Sequence, residues 1–400
     1  MRPSWEYSSK SEGIGGKIKQ APEEFMVEEI LPDGTVLELY TQVSLKDEAG
    51  GKFVHFALQK KDWSTSSAIN RIAKALHVGQ KRFGYAGTKD KAAITTQRVS
   101  VFGVSKEDVA SLALMDLQVN GAWIAKDRVK LGELSGNRFR INWHGEMRGA
   151  EEKVSAVFSE LGGKFPNYFG PQRFGTTRMN THRVGELLLR RQFREAAMHF
   201  LAEAGSEEHQ KAREARANLL GSGNFSAALK EFPKHLKLER SMIAHLAQEP
   251  EDYIGAFRKL PRQMMLLFVH AFQSWLFNEA LSGRIAEGQV KREGGEFFCS
   301  SNAYGFPEPS NAGVDWLCGK LLGYDSVPNE REKEILSRHE ISLEAFRIKE
   351  MPEISSKGHA RALLSPIKDF GFDGEEGIFR FSLPAGAYAT AALREFMKND

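Results

Sequence analysis

The sequence predicts an α+β protein, with one domain built from both chain ends and a mostly helical domain set between them. Three observations carry this prediction. Residues 1–145 offer several strand-like runs around a single clear helix, rather than strand and helix in strict alternation. From Ala150 the texture becomes helical. Strand-like text then returns at Ile378–Leu383, followed by a last helical stretch. A chain of 400 residues is also longer than one hydrophobic core usually organises.

Taken in order, residues 17–40 read as extended. Phe25–Ile30 and Val36–Leu39 flank Pro32-Asp33-Gly34, an apolar and polar alternation around a turn pair that signals a hairpin. Phe53–Leu58 reads as a strand. Ser64–Ser67 then supply N-cap residues for a helix whose apolar positions Ala68, Ile69, Ile72, Ala73 and Leu76 recur at helical spacing, with Gly79 just beyond its end. Phe83–Ala86 and Ile94–Phe102 read as strands around a loop at Gly87–Ala92, and Lys126–Leu131 and Asn137–Trp143 as two more. Helices are expected at Ala150–Leu161, Val184–Ala202, Glu207–Leu220, Ser226–Lys230 and Arg240–Leu246. Another runs to Ser282 with Pro261 in its first turn, and a last one covers Tyr388–Met397.

Composition narrows the class. Hydrophobic residues at 41% and charged residues at 27% are the balance of a folded globular chain rather than a disordered one. A formal net charge of +3 says nothing about nucleic acid by itself, so the distribution of charge must carry that argument. The 2 cysteines, Cys299 and Cys318, make neither a disulfide framework nor a zinc constellation. The opening residues lack a signal peptide's apolar core, and the longest uncharged stretch, Gln263–Asn278, is too short and polar to span a bilayer. The expectation is a cytoplasmic protein with no membrane association.

Charge is concentrated at one place. Between Arg71 and Arg98 lie Arg71, Lys74, Lys81, Arg82, Lys89, Lys91 and Arg98, against Asp90 as the one acid. Cations around a carboxylate favour its ionised form, which keeps it available as nucleophile or base, and the same cations suit a polyanionic backbone. A solvated basic loop with one compensating acid fits the composition equally well. The run Gly-Thr-Lys-Asp-Lys has neither the Walker spacing nor the dinucleotide spacing of glycines, and the 11 histidines show no metalloprotease pairing. Asn137 and Phe139 leave the same face of their strand, offering a hydrogen-bonding edge and a flat ring to a base, though an ordinary buried Phe reads the same way.

The segment Phe83–Gln97, reading Phe-Gly-Tyr-Ala-Gly-Thr-Lys-Asp-Lys-Ala-Ala-Ile-Thr-Thr-Gln, resembles the signature of the TruD family of tRNA pseudouridine synthases. Five further segments resemble that family in its own order: Pro22–Glu29, Gly136–Phe139, Asn167–Gly175, His270–Asn278 and Leu383–Thr390. The resemblance implies a pseudouridine synthase core with a mixed, mainly antiparallel sheet, formed here by residues 1–165 and 350–400. A mostly helical α/β TRUD domain would occupy 166–349. It implies that Asp90 is the catalytic aspartate and that Lys19 pairs with it. Asn137, Phe139 and Tyr388 would border the target base, and Lys89, Lys91 and Gln97 are further candidate substrate contacts. Glu24 stands where the family often has Asp, and Tyr388 where some members have Phe.

The implied substrate is tRNA, at its position 13, with no cofactor and no metal; the sequence leaves the oligomeric state open, with a monomer favoured. Arg173, Arg178, Arg183 and Arg191 are candidates to grip the RNA from the inserted domain. An RNA-binding or RNA-folding protein without chemistry is the alternative that the same basic segment allows.

Overall fold

The computed structural model describes residues 5–175, 177–205 and 208–399. The chain divides into two units. One holds Ser8–Asn167, Ser300–Glu308 and the residues from Leu364 onward, and the other holds the residues up to Tyr7, Tyr168–Cys299 and Pro309–Leu363. These limits differ from the expected 165/166 and 349/350 breaks. The segment 350–363 belongs with the helical unit because Ser356 is tied to Gln273 and Phe346 there, and because His359–Ala362 pairs with Trp316–Leu321.

The first unit begins with strands β1 (Lys17–Ile18), β2 (Phe25–Ile30) and β3 (Phe53–Lys61), then helix α1 (Thr65–Ala75). It continues through β4 (Phe83–Tyr85), β5 (Ile94–Phe102), α2 (Lys106–Ala110), β6 (Leu117–Ala125), β7 (Gly136–His144), α3 (Ala150–Leu161) and β8 (Lys164–Pro166).

The second unit carries α4 (Thr181–Leu189), α5 (Phe193–Ala202), α6 (Gln210–Ser222), α7 (Phe225–Glu231), α8 (Lys237–Leu246), α9 (Tyr253–Phe257) and α10 (Arg262–Ala286). After them come β9 (Phe297–Ser301), β10 (Pro307–Ala312), β11 (Trp316–Leu321), α11 (Glu330–Arg338) and β12 (His359–Ala362). The tip of the β9–β10 hairpin, Ser300–Glu308, groups with the first unit. That unit is completed by β13 (Leu364–Pro366), β14 (Lys368–Asp373), β15 (Ile378–Pro384) and α12 (Ala389–Met397).

The main sheet runs β14-β15-β7-β2-β5-β3-β6, with β1 on β7 and β4 on β5. Among these pairings only β2 with β5 is parallel. Strand β2 comes from the N-terminal end and β15 from the C-terminal end, and both flank β7, so the sheet is closed by both ends of the chain. Val54, Phe56 and Leu58 of β3 face Ala68, Ile69 and Ile72 of α1 in one core, while Ala57 turns to Leu31 and Leu37 on the other face. Ser64 caps α1 by accepting from the Ser67 amide.

Three expectations give way. Val36–Leu39 forms only a bridge from Val36 to Ile30, because β7 lines one edge of β2 and β5 takes the other at Met26 and Val27, which leaves only its last residues, where the Leu37 amide donates to Glu29 O, for the returning chain. Lys126–Leu131 is not a strand; the strand lies just before it, as β6. Val184–Ala202 is two helices, broken where Arg191 adopts φ 62°.

In the helical unit, α4, α5 and α10 enclose an apolar core with Leu188, Leu201, Phe268 and Phe272. Two of the arginines proposed to grip RNA are bound up in that unit. Arg178 donates to Phe200 O (2.6 Å), and Arg191 donates to Leu189 O (2.8 Å) and Ala345 O (3.0 Å). Their guanidiniums close backbone carbonyls that helix ends leave open. Arg183 pairs with Glu186 (2.5 Å) but stays 44% exposed, and Arg173 donates to Ser274 Oγ (3.1 Å). No helix among the described residues is long and apolar enough to cross a membrane.

Candidate active site

Asp90 sits in the loop between β4 and β5, and three side chains brace that loop from below. Thr65, the first residue of α1, accepts the Lys89 amide on its hydroxyl (3.0 Å) and donates to Gln97 Oε1 (2.9 Å). Gln97 in turn donates to Gly87 O (3.2 Å). Gln97 is 0% exposed, so it serves as a loop brace and does not present itself to a ligand. The third brace is Lys60 of β3, whose ammonium donates to Asp90 O at 2.6 Å. Burial pushes the Lys60 ammonium down to about 8, with Lys89 and Lys19 acting in the same direction and Asp90 opposing them.

The Asp90 carboxylate remains partly open, with its side chain 27% exposed, and Lys19 Nζ lies 3.3 Å from Oδ1. Lys19 follows β1 with φ 62°, a left-handed conformation unusual for a residue with a side chain. That turn carries its ammonium across the Phe25 ring, 4.3 Å from the centroid.

A second ion pair lies deeper. Lys89 Nζ is 2.7 Å from Glu29 Oε2, with side chains 5% and 0% exposed, and it donates to Asn137 Oδ1 at 2.6 Å. The other Glu29 oxygen accepts the Arg98 amide at 2.9 Å. The β2–β7 register sets Glu29 opposite Asn137 and Val27 opposite Phe139, so Glu29 and Asn137 share a face. Asn137 is thereby held with its carbonyl toward Lys89 and its amide nitrogen left for another partner.

Phe139 is 7% exposed, stacked on Phe381 (5.4 Å, 30°) and edge-on to Phe25 (6.2 Å, 72°). Its ring is mostly taken up by two other rings, so a base would meet a wall rather than an open stacking platform. Gly136, beside Asn137, lies so close to Leu383 O and the Phe306 ring that a Cβ there would overlap both. Tyr388 sits half-buried at the N-cap of α12.

The sequence-predicted residues therefore fall into groups. Asp90 and Lys19 are in contact, and Lys89 with Asn137 forms a second contact beside them. Lys89 and Gln97 turn inward, against the expectation that they meet substrate, because one balances a buried Glu and the other braces a loop. Lys91 is exposed, as are Arg71, Lys74, Lys81 and Arg82, whereas Arg98 is bound to Glu133 (2.9 Å). Lys60 and Glu29 were missed as parts of the site. No group of three or more His, Cys, Asp or Glu side chains suited to a metal ion occurs among the described residues.

Comparison with known proteins gives this arrangement a relationship. The family model for tRNA pseudouridine synthase D (TruD) matches residues 4–396. A probable tRNA pseudouridine synthase D of Methanosarcina acetivorans is 34% identical over 98% of this chain and 95% of its own length. One of Thermococcus sibiricus is 36% identical over 99% and 98%. The crystal structure of a putative tRNA pseudouridine synthase D from Methanosarcina mazei superposes with a TM-score of 0.76 at 34% identity, covering 98% of this chain and 96% of that one. With the family model spanning nearly all of its length, this chain belongs to the TruD family.

Proposed function

We propose that this protein isomerises uridine to pseudouridine in tRNA, at position 13, with Asp90 as the nucleophile. The observation that carries the proposal is the partly open Asp90 carboxylate on a loop braced by three side chains, with the Lys19 ammonium 3.3 Å away.

The reaction breaks the N1–C1′ bond of uridine, turns the uracil and joins C5 to C1′. The product is an isomer: C5 loses a proton and N1 gains one, with no change of redox state. A carboxylate must be ionised to attack, and the Lys19 ammonium stands in ion-pair contact with it, 3.3 Å from Oδ1. The target base must first leave its stack, which costs a few kcal/mol, least for a weakly paired nucleotide. Phe139 with Phe25 and Phe381 supplies an apolar wall for the displaced base, and Asn137, oriented by Lys89, supplies a polar group to read its edge. The same wall limits water at a reacting centre where hydrolysis would compete.

The test is Asp90→Asn with a tRNA transcript carrying tritium at C5 of uridine. Tritium release should fall by a factor on the order of 10⁴ or more, the scale on which loss of a nucleophile reads elsewhere. Normal release from the variant would overturn the assignment. A transcript with cytidine at position 13 should release no tritium, and release from it would overturn the position.

A further inference from the structure

We infer that Lys60 is a positioning residue for the reaction: from within the core it holds the peptide that carries Asp90 and so sets the direction of the attacking carboxylate. The inference rests on the reading of Asp90 as nucleophile.

Lys60 shares the register of Val54, Phe56 and Leu58 on β3, the face that packs on α1, and it is 0% exposed. A lysine in that position is otherwise a liability, since an ammonium is rarely buried whole without a partner. Here it reaches Asp90 O at 2.6 Å. The other braces grip the loop earlier, at Gly87 and Lys89. Lys60 grips it at the residue whose side chain must be aimed. Together with Lys19 on Oδ1, it restrains Asp90 at both its main chain and its carboxylate.

Lys60 does not reach the reacting atoms, so its influence should appear in turnover rather than in RNA binding. Misplacing a reacting group by about 1 Å can lower a rate by roughly 100-fold. The charged groups facing Lys60 are Asp90 and Lys89 from the loop, Lys19 from the turn after β1, and Asp62 just after β3. In that setting its ammonium gives up a proton near pH 8, chiefly because it is buried. The neutral amine is a weaker donor to Asp90 O and removes one positive charge from beside the carboxylate.

The experiment compares the full-length protein with Lys60→Met, of similar volume and apolar, in single-turnover and steady-state tritium release between pH 6 and 9. The expected results are a kcat lower by roughly 10- to 100-fold in the variant with KM within about threefold, and a wild-type kcat that declines as pH rises through about 8. That alkaline decline should vanish in the variant. A variant kcat within threefold of wild type overturns the inference, as does an alkaline decline that persists in it. Should Lys60→Met fail to fold, Lys60→Gln, which keeps a polar end but not the reach to Asp90 O, is read by the same kcat and KM criteria, and a kcat within threefold of wild type overturns the inference. Asp90→Asn, measured alongside, separates the two ideas. If it stays active, the nucleophile reading falls; if it is inactive while Lys60→Met is normal, only the role of Lys60 falls.

Discussion

Replacing Glu29 by Gln would test the buried charge pair beneath the site. Gln keeps the size of the side chain and an oxygen for the Arg98 amide, now 2.9 Å from Glu29 Oε1. What it removes is the negative charge 2.7 Å from Lys89 Nζ, in a place where the two side chains are 0% and 5% exposed. Solvent cannot take over, so the ammonium keeps only the neutral Asn137 Oδ1 at 2.6 Å. Removing one member of a buried ion pair typically costs about 3–5 kcal/mol. With one acceptor retained, the lower end, about 3 kcal/mol, is expected.

Glu29→Gln, Lys89→Met and the double variant form a cycle in which the double should recover most of the loss, since no unpaired charge remains. Urea titration read by hydrogen exchange in β2 and β5 confines the measurement to the sheet that holds the pair. A Glu29→Gln cost under about 1 kcal/mol, or a double variant no more stable than the worse single, would refute the argument.

Three further outcomes follow from the same geometry. Gly136→Ala places a Cβ against Leu383 O and the Phe306 ring, so a loss of about 1–3 kcal/mol is expected in thermal unfolding, with lower kcat because Asn137 is the next residue. Lys91→Ala removes an exposed cation next to Asp90 in the chain and should reduce the salt dependence of tRNA binding by about one unit of slope, measured by filter binding. His339 is bound by Glu186 (3.4 Å) and Glu279 (2.9 Å), which raise it to about 9. Its contribution is complete below the unfolded value near ~6.5 and is lost as pH rises through about 9. The stability gap between wild type and His339→Gln should therefore be about 3 kcal/mol at pH 6 and shrink toward pH 9.5 in urea titrations. Burial of Glu186 opposes its ionisation, yet its hydrogen bonds from His339 and Arg183 hold it near 2; the histidine contact is the same one counted for His339, so the two are not added.

Where the fold was legible, local chemistry and tertiary need agreed. Strand β5 is rich in β-branched residues (Ile94, Thr95, Thr96, Val99 and Val101) and is buried on both faces, and α1 announces itself by Ser64 and its apolar spacing. Strand β6 was hidden by Asn120-Gly121, which reads as a turn. In the structure that pair marks a register shift against β3: Gly121 has φ 108°, and the Asn120 amide donates to Gln59 Oε1 at 2.9 Å. The break between α4 and α5 has no Gly or Pro to signal it. Arg191 takes the left-handed position itself, and its guanidinium bonds to carbonyls at Leu189 and Ala345. The loss of Val36–Leu39 as a strand depends on which strands flank β2, and no window of local sequence contains that information.

The site was legible in its exposed chemistry and illegible in its support. Asp90 stood out as one acid in a basic run, but the same composition describes a solvated loop, and the sequence alone could not say which lysines face inward. The discriminating signal is register. Lys60 falls two residues after Leu58 in the buried series of β3, and Glu29 falls two after Val27 in that of β2. A charged residue on the core side of an alternating strand must either meet an opposite charge or hold a polar backbone atom. Here Glu29 meets Lys89, and Lys60 holds Asp90 O. Both bonds end on the Lys89–Asp90 dipeptide, the two adjacent residues whose direction the proposed chemistry requires to be fixed. Charges out of place in the pattern of a strand can thus point to a candidate active-site loop from below, even where the loop itself is ambiguous.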